Sequence, residues 1–504
     1  MEDSSSLRLR AEAALRAGRL NEAIAVLEQW AATMPDDAAP WRALAECLAA
    51  AGRPELAVAA WDSALAIDPL AAAALGGKAK ALQALGRPRE AADLFERALV
   101  ADPQDFEAHF GLAMLAIEAG DLASAQAAIE RLTKIHPDQP GTLWLTARIA
   151  AARGQLPQAR RAVERLLAKP GQGEEARAEA LLLKSQIFDR LSLPARAFAA
   201  AVEAKAIQKR LFAHRAAGRE GETQKLRRLA AWFQTAARAD WRAPEPSAEP
   251  AAAAGHIFLV GFPRSGTTLI EQALAGHPDV ITLEEAPTMA ASYAEFLQSS
   301  EGLQRLAHLT PDEARIWRDR YWQAVRAFGG EPTGRVFVDK APAGTANLPI
   351  VAKLFPRAKV LFAVRDPRDV TLSCLLNAFQ MNALTYAFTT LDETAACYGA
   401  CMSLADAYRG VLDLELREVR YETLVEDFEA ELAAIAGFVG LDFHPAMFDV
   451  TATARRRSVR TPSADQVRQG VNRQGVGRWR AYGAELAPVM PSLAPWIERF
   501  GYSD

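Results

Sequence analysis

Two short segments carry the residue types that bind and move charged groups. The first, GFPRSGTT (Gly261 to Thr268), follows the apolar run HIFLV and precedes LIEQAL, whose Leu269, Ile270, Ala273 and Leu274 share one helical face. A strand, a glycine-bearing loop and a helix start in that order make an anion cradle. Backbone N–H groups at the helix start point at the ligand, the helix dipole favours negative charge, and Thr267 and Thr268 add hydroxyl donors. The second segment, RDPRDVTLS, follows the strand-like run KVLFAV and places Arg365 at the strand end with Ser373 eight residues on. A guanidinium and a hydroxyl converging there suit a second phosphate. The competing explanation for the second segment is a strand-end ion pair, Arg365 or Arg368 with Asp366 or Asp369.

The first loop has the glycine spacing of a nucleoside-triphosphatase loop in Gly261 and Gly266, yet Thr267 stands where that pattern has its lysine, and the cation on offer is Arg264. No acidic strand end is evident to hold magnesium. A P-loop kinase-like phosphotransferase is therefore the second reading. Beyond residue 255, short β-rich runs (His256 to Gly261, Arg335 to Asp339, Lys359 to Val364, Glu415 to Tyr421) alternate with amphipathic segments such as Val425 to Val439. Such alternation argues for a mostly parallel sheet covered by helices, an α/β domain.

The first third of the chain has a different rhythm. Gly18, Gly52, Gly86, Gly120 and Gly154 fall 34 residues apart, as do Pro35, Pro69, Pro103 and Pro137, and as do Ala23, Ala57, Ala91, Ala125 and Ala159. Apolar residues recur at helical spacing on both sides of each glycine, so every unit is two helices joined by a tight turn. The alanine lets the helices approach, and the glycine ends the first helix. These features resemble tetratricopeptide repeats over about residues 7 to 168. After Gly154 the register slips, and SLPARAF (Ser192 to Phe198) aligns with GRPELAV (Gly52 to Val58) only through an insertion that KPGQGEE at 169 to 175 can supply. The expected organisation is an α-helical solenoid with an atypical closing repeat over 1–208, a segment over 209–254 made of a basic helix (within 205–242) and a proline and alanine linker (Ala243 to Gly255), and an α/β domain over 255–504. A stacked array presents a concave face for a protein partner or for substrate; a spacer or a homodimer platform is the alternative.

Taken together, PRSGTT and the Arg365/Ser373 pair resemble the two phosphosulfate-binding signatures of the sulfotransferase superfamily, over most of residues 256 to 482. The tyrosylprotein sulfotransferase branch is the nearest likeness. The resemblance implies that Arg264, Ser265, Gly266, Thr267 and Thr268 hold the 5′-phosphosulfate of 3′-phosphoadenosine 5′-phosphosulfate, and that Arg365 and Ser373 hold its 3′-phosphate, the product being 3′-phosphoadenosine 5′-phosphate. HPDVITLEEAP (His277 to Pro287) resembles the segment of the catalytic glutamate, here Glu285 with Glu284 as fallback. VDKAP (Val338 to Pro342) resembles the segment of a catalytic lysine, Lys340. VRYETL (Val419 to Leu424) implies Tyr421 on the nucleotide, and SADQVRQGVNRQGVGRW (Ser463 to Trp479) resembles a lid bringing Ser463 and Arg478 to it.

The roles also follow from the chemistry. In-line displacement at sulfur spreads negative charge over the sulfuryl and leaving oxygens, which fixed cations such as Arg264 and Lys340 stabilise, while Glu285 takes the acceptor proton. No metal is needed. Taken singly, Glu285 reads as a helix-start acid and Lys340 as a surface ion pair with Asp339. The sequence departs from the branch in two places: APTMAAS (Ala286 to Ser292) lacks the basic residues that hold acidic peptide flanks, and Asn377 stands where an arginine is found. The leading acceptor hydroxyl is that of a tyrosine in an acidic peptide, with a small-molecule, lipid or saccharide hydroxyl as the alternative. An inactive transferase domain on a repeat scaffold is the third reading.

Composition bounds the rest. Among 504 residues, 58 basic and 62 acidic side chains give a net charge of −4, so nothing global draws the chain to nucleic acid, and any anion site is local. No stretch reaches the ~18 apolar residues of a membrane span, and MEDSSSLRLR at the start lacks an apolar signal core, so a cytoplasmic location is expected. Cys47, Cys374, Cys397 and Cys401 are too few for a disulfide framework and read as packed thiols. ARRRSVRTPS (Ala454 to Ser463) reads as an electropositive rim beside the lid, and His277, His308 and His444 as structural.

Overall fold

A computed structural model describes residues 3–242, 253–456 and 470–503. The chain divides into two compact units at Pro170/Gly171. The first consists of five helical hairpins: Ser4–Arg16 with Leu20–Thr33, Ala38–Ala50 with Pro54–Ile67, Ala72–Ala84 with Pro88–Ala101, Phe106–Ala119 with Leu122–Ile135, and Pro140–Ala152 with Leu156–Leu167. Each turn glycine of the 34-residue ladder adopts a φ between +69 and +77°, and each ladder alanine is fully buried. Close approach also governs the contact between successive hairpins. A Cβ on Gly77 would lie 2.3 Å from the Trp61 ring, and one on Gly111 would lie 2.2 Å from the Phe95 ring. Both aromatic and glycine recur one repeat apart, so each ring seats on bare backbone of the next hairpin.

The second unit opens with the hairpin Glu174–Arg190 and Pro194–Ala216, in which Ser192, at φ +56°, takes the turn conformation of the ladder glycines. This hairpin, expected to close the array, lies in the second unit. The cause is visible in its polar side chains: Lys205, 1% exposed, donates to the Asn377 carbonyl at 2.9 Å, and Lys209 pairs with Glu393 at 2.8 Å. The single basic helix expected within 205–242 is broken. The helix from Pro194 stops at Ala216, Gly218 turns at φ +72°, and a new helix runs Glu222–Thr235.

Five strands form one sheet: β1 (Gly255–Gly261), β2 (Val280–Glu284), β3 (Val336–Lys340), β4 (Lys359–Val364) and β5 (Glu415–Arg420). Their order is β2-β3-β1-β4-β5, and every pairing is parallel. The apolar strands alternate between two buried faces, as a helix-covered parallel sheet requires. Ile257 and Leu259 pack with Ile270, Leu274, Leu432 and Ile435 on one face. On the other, Phe258 lies in ring contact with His256, Tyr321 and Phe355. Chain order reverses around the central β1, since β2 and β3 lie on one side and β4 and β5 on the other. The carboxyl end of β1 is therefore the switch point where such sheets bind ligands. None of the described helices is long and apolar enough to cross a membrane, and all four cysteines are buried and free.

Candidate active site

The loop leaving β1 is shaped by two unusual backbone positions. Arg264 has φ +74° although it is not glycine, and Gly266 caps the following eight-residue helix, Thr267–Leu274, at φ +99°. Left-handed backbone at a large side chain is costly and concentrates at functional sites. Only glycine fits at 266 for a second reason: a Cβ there would meet the Tyr421 ring at 2.6 Å. The Arg264 side chain is buried, and its Nε donates to Ser373 Oγ at 3.0 Å. Burial, with repulsion from Arg365 and Arg478, lowers its pKa to about 10. It remains cationic at neutral pH.

Arg365, at the end of β4, donates through Nη1 to the Arg264 carbonyl at 2.9 Å and through Nη2 to the Gly475 carbonyl, while its guanidinium lies 4.6 Å from the Tyr421 ring centre. Its Nε is buried without a hydrogen-bond partner. The strand-end ion pair does exist, but Arg368 makes it: this fully buried residue pairs with Asp366 at 2.8 Å. Arg365 pairs with no carboxylate among the described residues. Ser373, on the helix Pro367–Leu376, also accepts from Asn377 Nδ2 at 3.2 Å. Two desolvated guanidiniums, the Thr267 and Thr268 hydroxyls at a helix start, the Ser373 hydroxyl and a glycine cradle suit a ligand with two anionic groups.

Across β1, at the ends of β2 and β3, lies a cluster of carboxylates around one lysine. Lys340 is wholly buried, with Nζ 2.9 Å from Glu285, 3.2 Å from Glu284 and 3.4 Å from Glu271. Burial opposes its charge, and the fields of Glu271, Glu285 and Glu284 outweigh that, so its pKa is raised. The surface pair with Asp339 is not formed. Adjacent strand residues point to opposite faces, and Asp339 instead accepts from Thr288 Oγ1 at 2.7 Å and Tyr321 OH at 2.9 Å. Glu285 sits at φ +50° with its side chain about half exposed (48%), the open member of an otherwise closed cluster. Next to it, a cavity of about 260 Å³ is lined by Ala286, Pro287 and Thr288 from after β2, Ala341 and Ala343 from after β3, and Asp339.

The C-terminal segment closes the far side. The Gly477 and Trp479 amides donate to Asp369 at 2.7 and 2.8 Å. Arg478 Nε lies 3.3 Å from Asp189 Oδ1 on the helical hairpin, its Nη2 pairs with Asp189 Oδ2, and Tyr482 OH donates to Asp189 Oδ1 at 2.6 Å.

Residues 256–445 match the model of the sulfotransferase family. The second unit carries a sulfotransferase-family domain. Residues 14–81, 48–115 and 82–141 match a tetratricopeptide repeat model and 140–165 another, which gives the first unit its name. The chain is 27% identical to protein-tyrosine sulfotransferase 2 of Gallus gallus over 269 residues, 49% of this chain and 69% of that one. It is 28% identical to protein-tyrosine sulfotransferase 1 of Danio rerio, over 49% and 72% respectively. An uncharacterized protein of Aquifex aeolicus (strain VF5) is 25% identical over 47% of this chain and 32% of its own length, so the chain spans about a third of that relative. Among solved structures, the type IV pilus biogenesis factor PilW aligns with 40% of this chain and 92% of its own at 23% identity and a TM-score of 0.36.

Within the sulfotransferase-family domain, Arg264, Ser265, Gly266, Thr267, Thr268, Arg365, Ser373 and Tyr421 converge at the switch point, and Glu285 and Lys340 meet beside it. Arg478 lies near Arg264 but is held by Asp189. Ser463 and most of the basic run before it lie outside the described residues. His277 and His444 accept backbone amides through Nδ1 at 3.1 and 3.2 Å, from Asp279 and Ala446. Two participants have no sequence expectation, Glu271 and Asp189, and Asp339 has only that of a surface partner for Lys340. Glu271 had a signal, since it lies on the helix that leaves the cradle, among apolar neighbours.

Proposed function

We propose that the second unit transfers the sulfuryl group of 3′-phosphoadenosine 5′-phosphosulfate to an acceptor hydroxyl. The observation that carries this reading is the pairing of a two-guanidinium anion site, Arg264 and Arg365, with a buried lysine and a half-exposed glutamate one strand away. Arg264, the loop amides and the Thr267 and Thr268 hydroxyls would hold the phosphosulfate, and Arg365, Ser373 and Tyr421 the 3′-phosphate and adenosine side. No metal is assigned a role. The acceptor hydroxyl attacks sulfur in line, its proton passes to Glu285, the bond from sulfur to the bridging oxygen breaks, and the bisphosphate departs with the electron pair. Lys340 and Arg264 stabilise the charge that builds on the sulfuryl and leaving oxygens. A proton acceptor works here through position, within reach of a bound hydroxyl.

Similarity to protein-tyrosine sulfotransferases makes a protein tyrosine the leading acceptor. The segment from Ala286 to Ser292 carries no basic residue, and among the described residues Lys225 is the one basic side chain lining the adjacent cavity, which favours a hydroxyl on a less acidic carrier as the second. The repeat array is assigned to recruiting the acceptor or a partner protein. Thermal shift with 3′,5′-bisphosphoadenosine, set against ATP with magnesium, tests the donor. Stabilisation by ATP with magnesium alone would replace this reading with a phosphotransferase. A screen of acceptors with labelled donor then names the substrate.

A further inference from the structure

The matched sulfotransferase region begins at residue 256, yet a carboxylate from 67 residues earlier reaches the C-terminal segment of the site. Asp189 is the penultimate residue of the helix Glu174–Arg190, three residues before Ser192 at φ +56°. Its two oxygens engage Arg478 side-on, through Nε and Nη2, and Oδ1 also accepts from Tyr482 OH. The pair is mostly shielded, with side chains 27% exposed at Arg478 and 17% at Asp189. The field of Arg478 is felt at the buried Arg264. The same segment puts the Gly475 carbonyl on Arg365 and the Gly477 and Trp479 amides on Asp369.

This arrangement has a physical purpose. Three guanidiniums around one anion site repel one another until the ligand arrives, and an unrestrained arginine would swing to solvent. A carboxylate gripping the Nε/Nη2 edge fixes the plane of the guanidinium and leaves Nη1 for another acceptor, because the five N–H donors form a rigid fork. It also offsets part of the repulsion.

We propose that Asp189, on the helical hairpin, is a positioning residue for the donor site: it orients Arg478, in the segment whose Gly475 carbonyl meets Arg365, so that this segment is set for the bisphosphate before binding. This rests on the sulfotransferase reading. The hairpin is then a working part of the enzyme.

The test is calorimetric titration of the full chain with 3′,5′-bisphosphoadenosine, using Asp189→Asn, Asp189→Glu, Arg478→Ala, Tyr482→Phe and the double variant Asp189→Asn/Arg478→Ala, with Arg365→Ala as reference. Asp189→Asn is expected to weaken binding about tenfold and Arg478→Ala by a similar factor. The double variant should lose no more than the worse single one, since both remove one unit. Asp189→Glu should recover part of the loss, and Tyr482→Phe should cost about threefold or less. Tighter binding by Asp189→Asn would show that the carboxylate competes with phosphate, and multiplying losses in the double variant would show general loosening; either overturns the proposal. Should Asp189→Asn fail to fold, Arg478→Ala carries the decision, and wild-type affinity in that variant would overturn it. Weak binding by Arg365→Ala with Asp189→Asn unaffected sinks the positioning role alone. No binding by the wild type sinks the sulfotransferase reading as well.

Discussion

Lys340 and Glu285 hold each other twice. The Lys340 ammonium lies 2.9 Å from Glu285 Oε1, and the Glu285 amide donates to the Lys340 carbonyl at 2.8 Å. The backbone bond extends the β2–β3 ladder by one residue and turns Glu285 at φ +50°, so the glutamate leaves the sheet where the lysine ends it. Replacing Glu285 by Gln keeps the shape and removes the proton acceptor. Turnover with labelled donor should fall by about 10²–10⁴, while bisphosphate affinity stays within about threefold by calorimetry. A loss confined to affinity would move the base elsewhere.

Lys340→Met has a different expectation. It strands Glu271, 1% exposed, and Glu284 beside a lost cation. Breaking one member of a buried charge cluster costs about 3–5 kcal/mol, so chemical denaturation should report a large loss of stability along with lost activity. The companion Lys340→Met/Glu271→Gln should regain part of the stability and none of the turnover.

Gly266→Ala tests the cradle. The new methyl would sit 2.6 Å from the Tyr421 ring on backbone at φ +99°. Either the ring leaves Arg365, over which it is stacked at 4.6 Å, or the loop shifts away from the helix start. Bisphosphate binding should weaken at least tenfold, with a lower melting midpoint.

Asp339 gives the fold a pH signature. Burial raises its pKa to about 6 from an unperturbed 3.8, the bonds from Thr288 and Tyr321 opposing. The folded chain therefore binds more protons than the unfolded one between those values. The stabilisation is complete below about pH 4 and is lost as pH rises through about 6. Asp339→Asn removes this term. Denaturation of the two proteins at pH 4 and pH 7 should differ by about 3 kcal/mol in the variant's favour on going to the higher pH.

Lys205 gives the opposite slope. Burial lowers its pKa to about 8, so the unfolded chain binds the extra proton above that value and stability rises from about pH 8 to 10.5. Lys205→Met should flatten that rise and, by removing a buried charge that is bonded to the Asn377 carbonyl, stabilise the protein at pH 7 by about 1–3 kcal/mol. Melting curves across this range read both effects.

The legible features were the local ones. The glycine and alanine ladders report turns and helix contacts a few residues away, and the array follows from them. Arg264, Arg365 and Ser373 were found because strand, loop and helix start lie within a dozen residues of one another. The strand-end ion pair is present as Arg368 with Asp366, one of the pairings the segment allows, and nothing in RDPRD says which arginine takes the carboxylate. Glu285 and Lys340 needed a resemblance to be noticed, since 55 residues and a whole strand separate them. Asp189 and Arg478 lie 289 residues apart, a contact no spacing announces. The break at Gly218 was hidden in a polar stretch that could continue either way.

The hairpin Glu174–Ala216 also fixes where this protein can exchange parts. Composition invites a cut at the proline and alanine stretch from 243 to 254, but a chain severed there leaves Asp189 and Lys205 behind with the repeats. Arg478 and Asn377 would keep their places in the sequence and lose their counterparts. The natural joint is Lys169 to Gly173, ahead of the hairpin. A boundary in front of that joint keeps Asp189 and Lys205 with Arg478 and Asn377, and a fragment meant for assay or crystallisation should begin there.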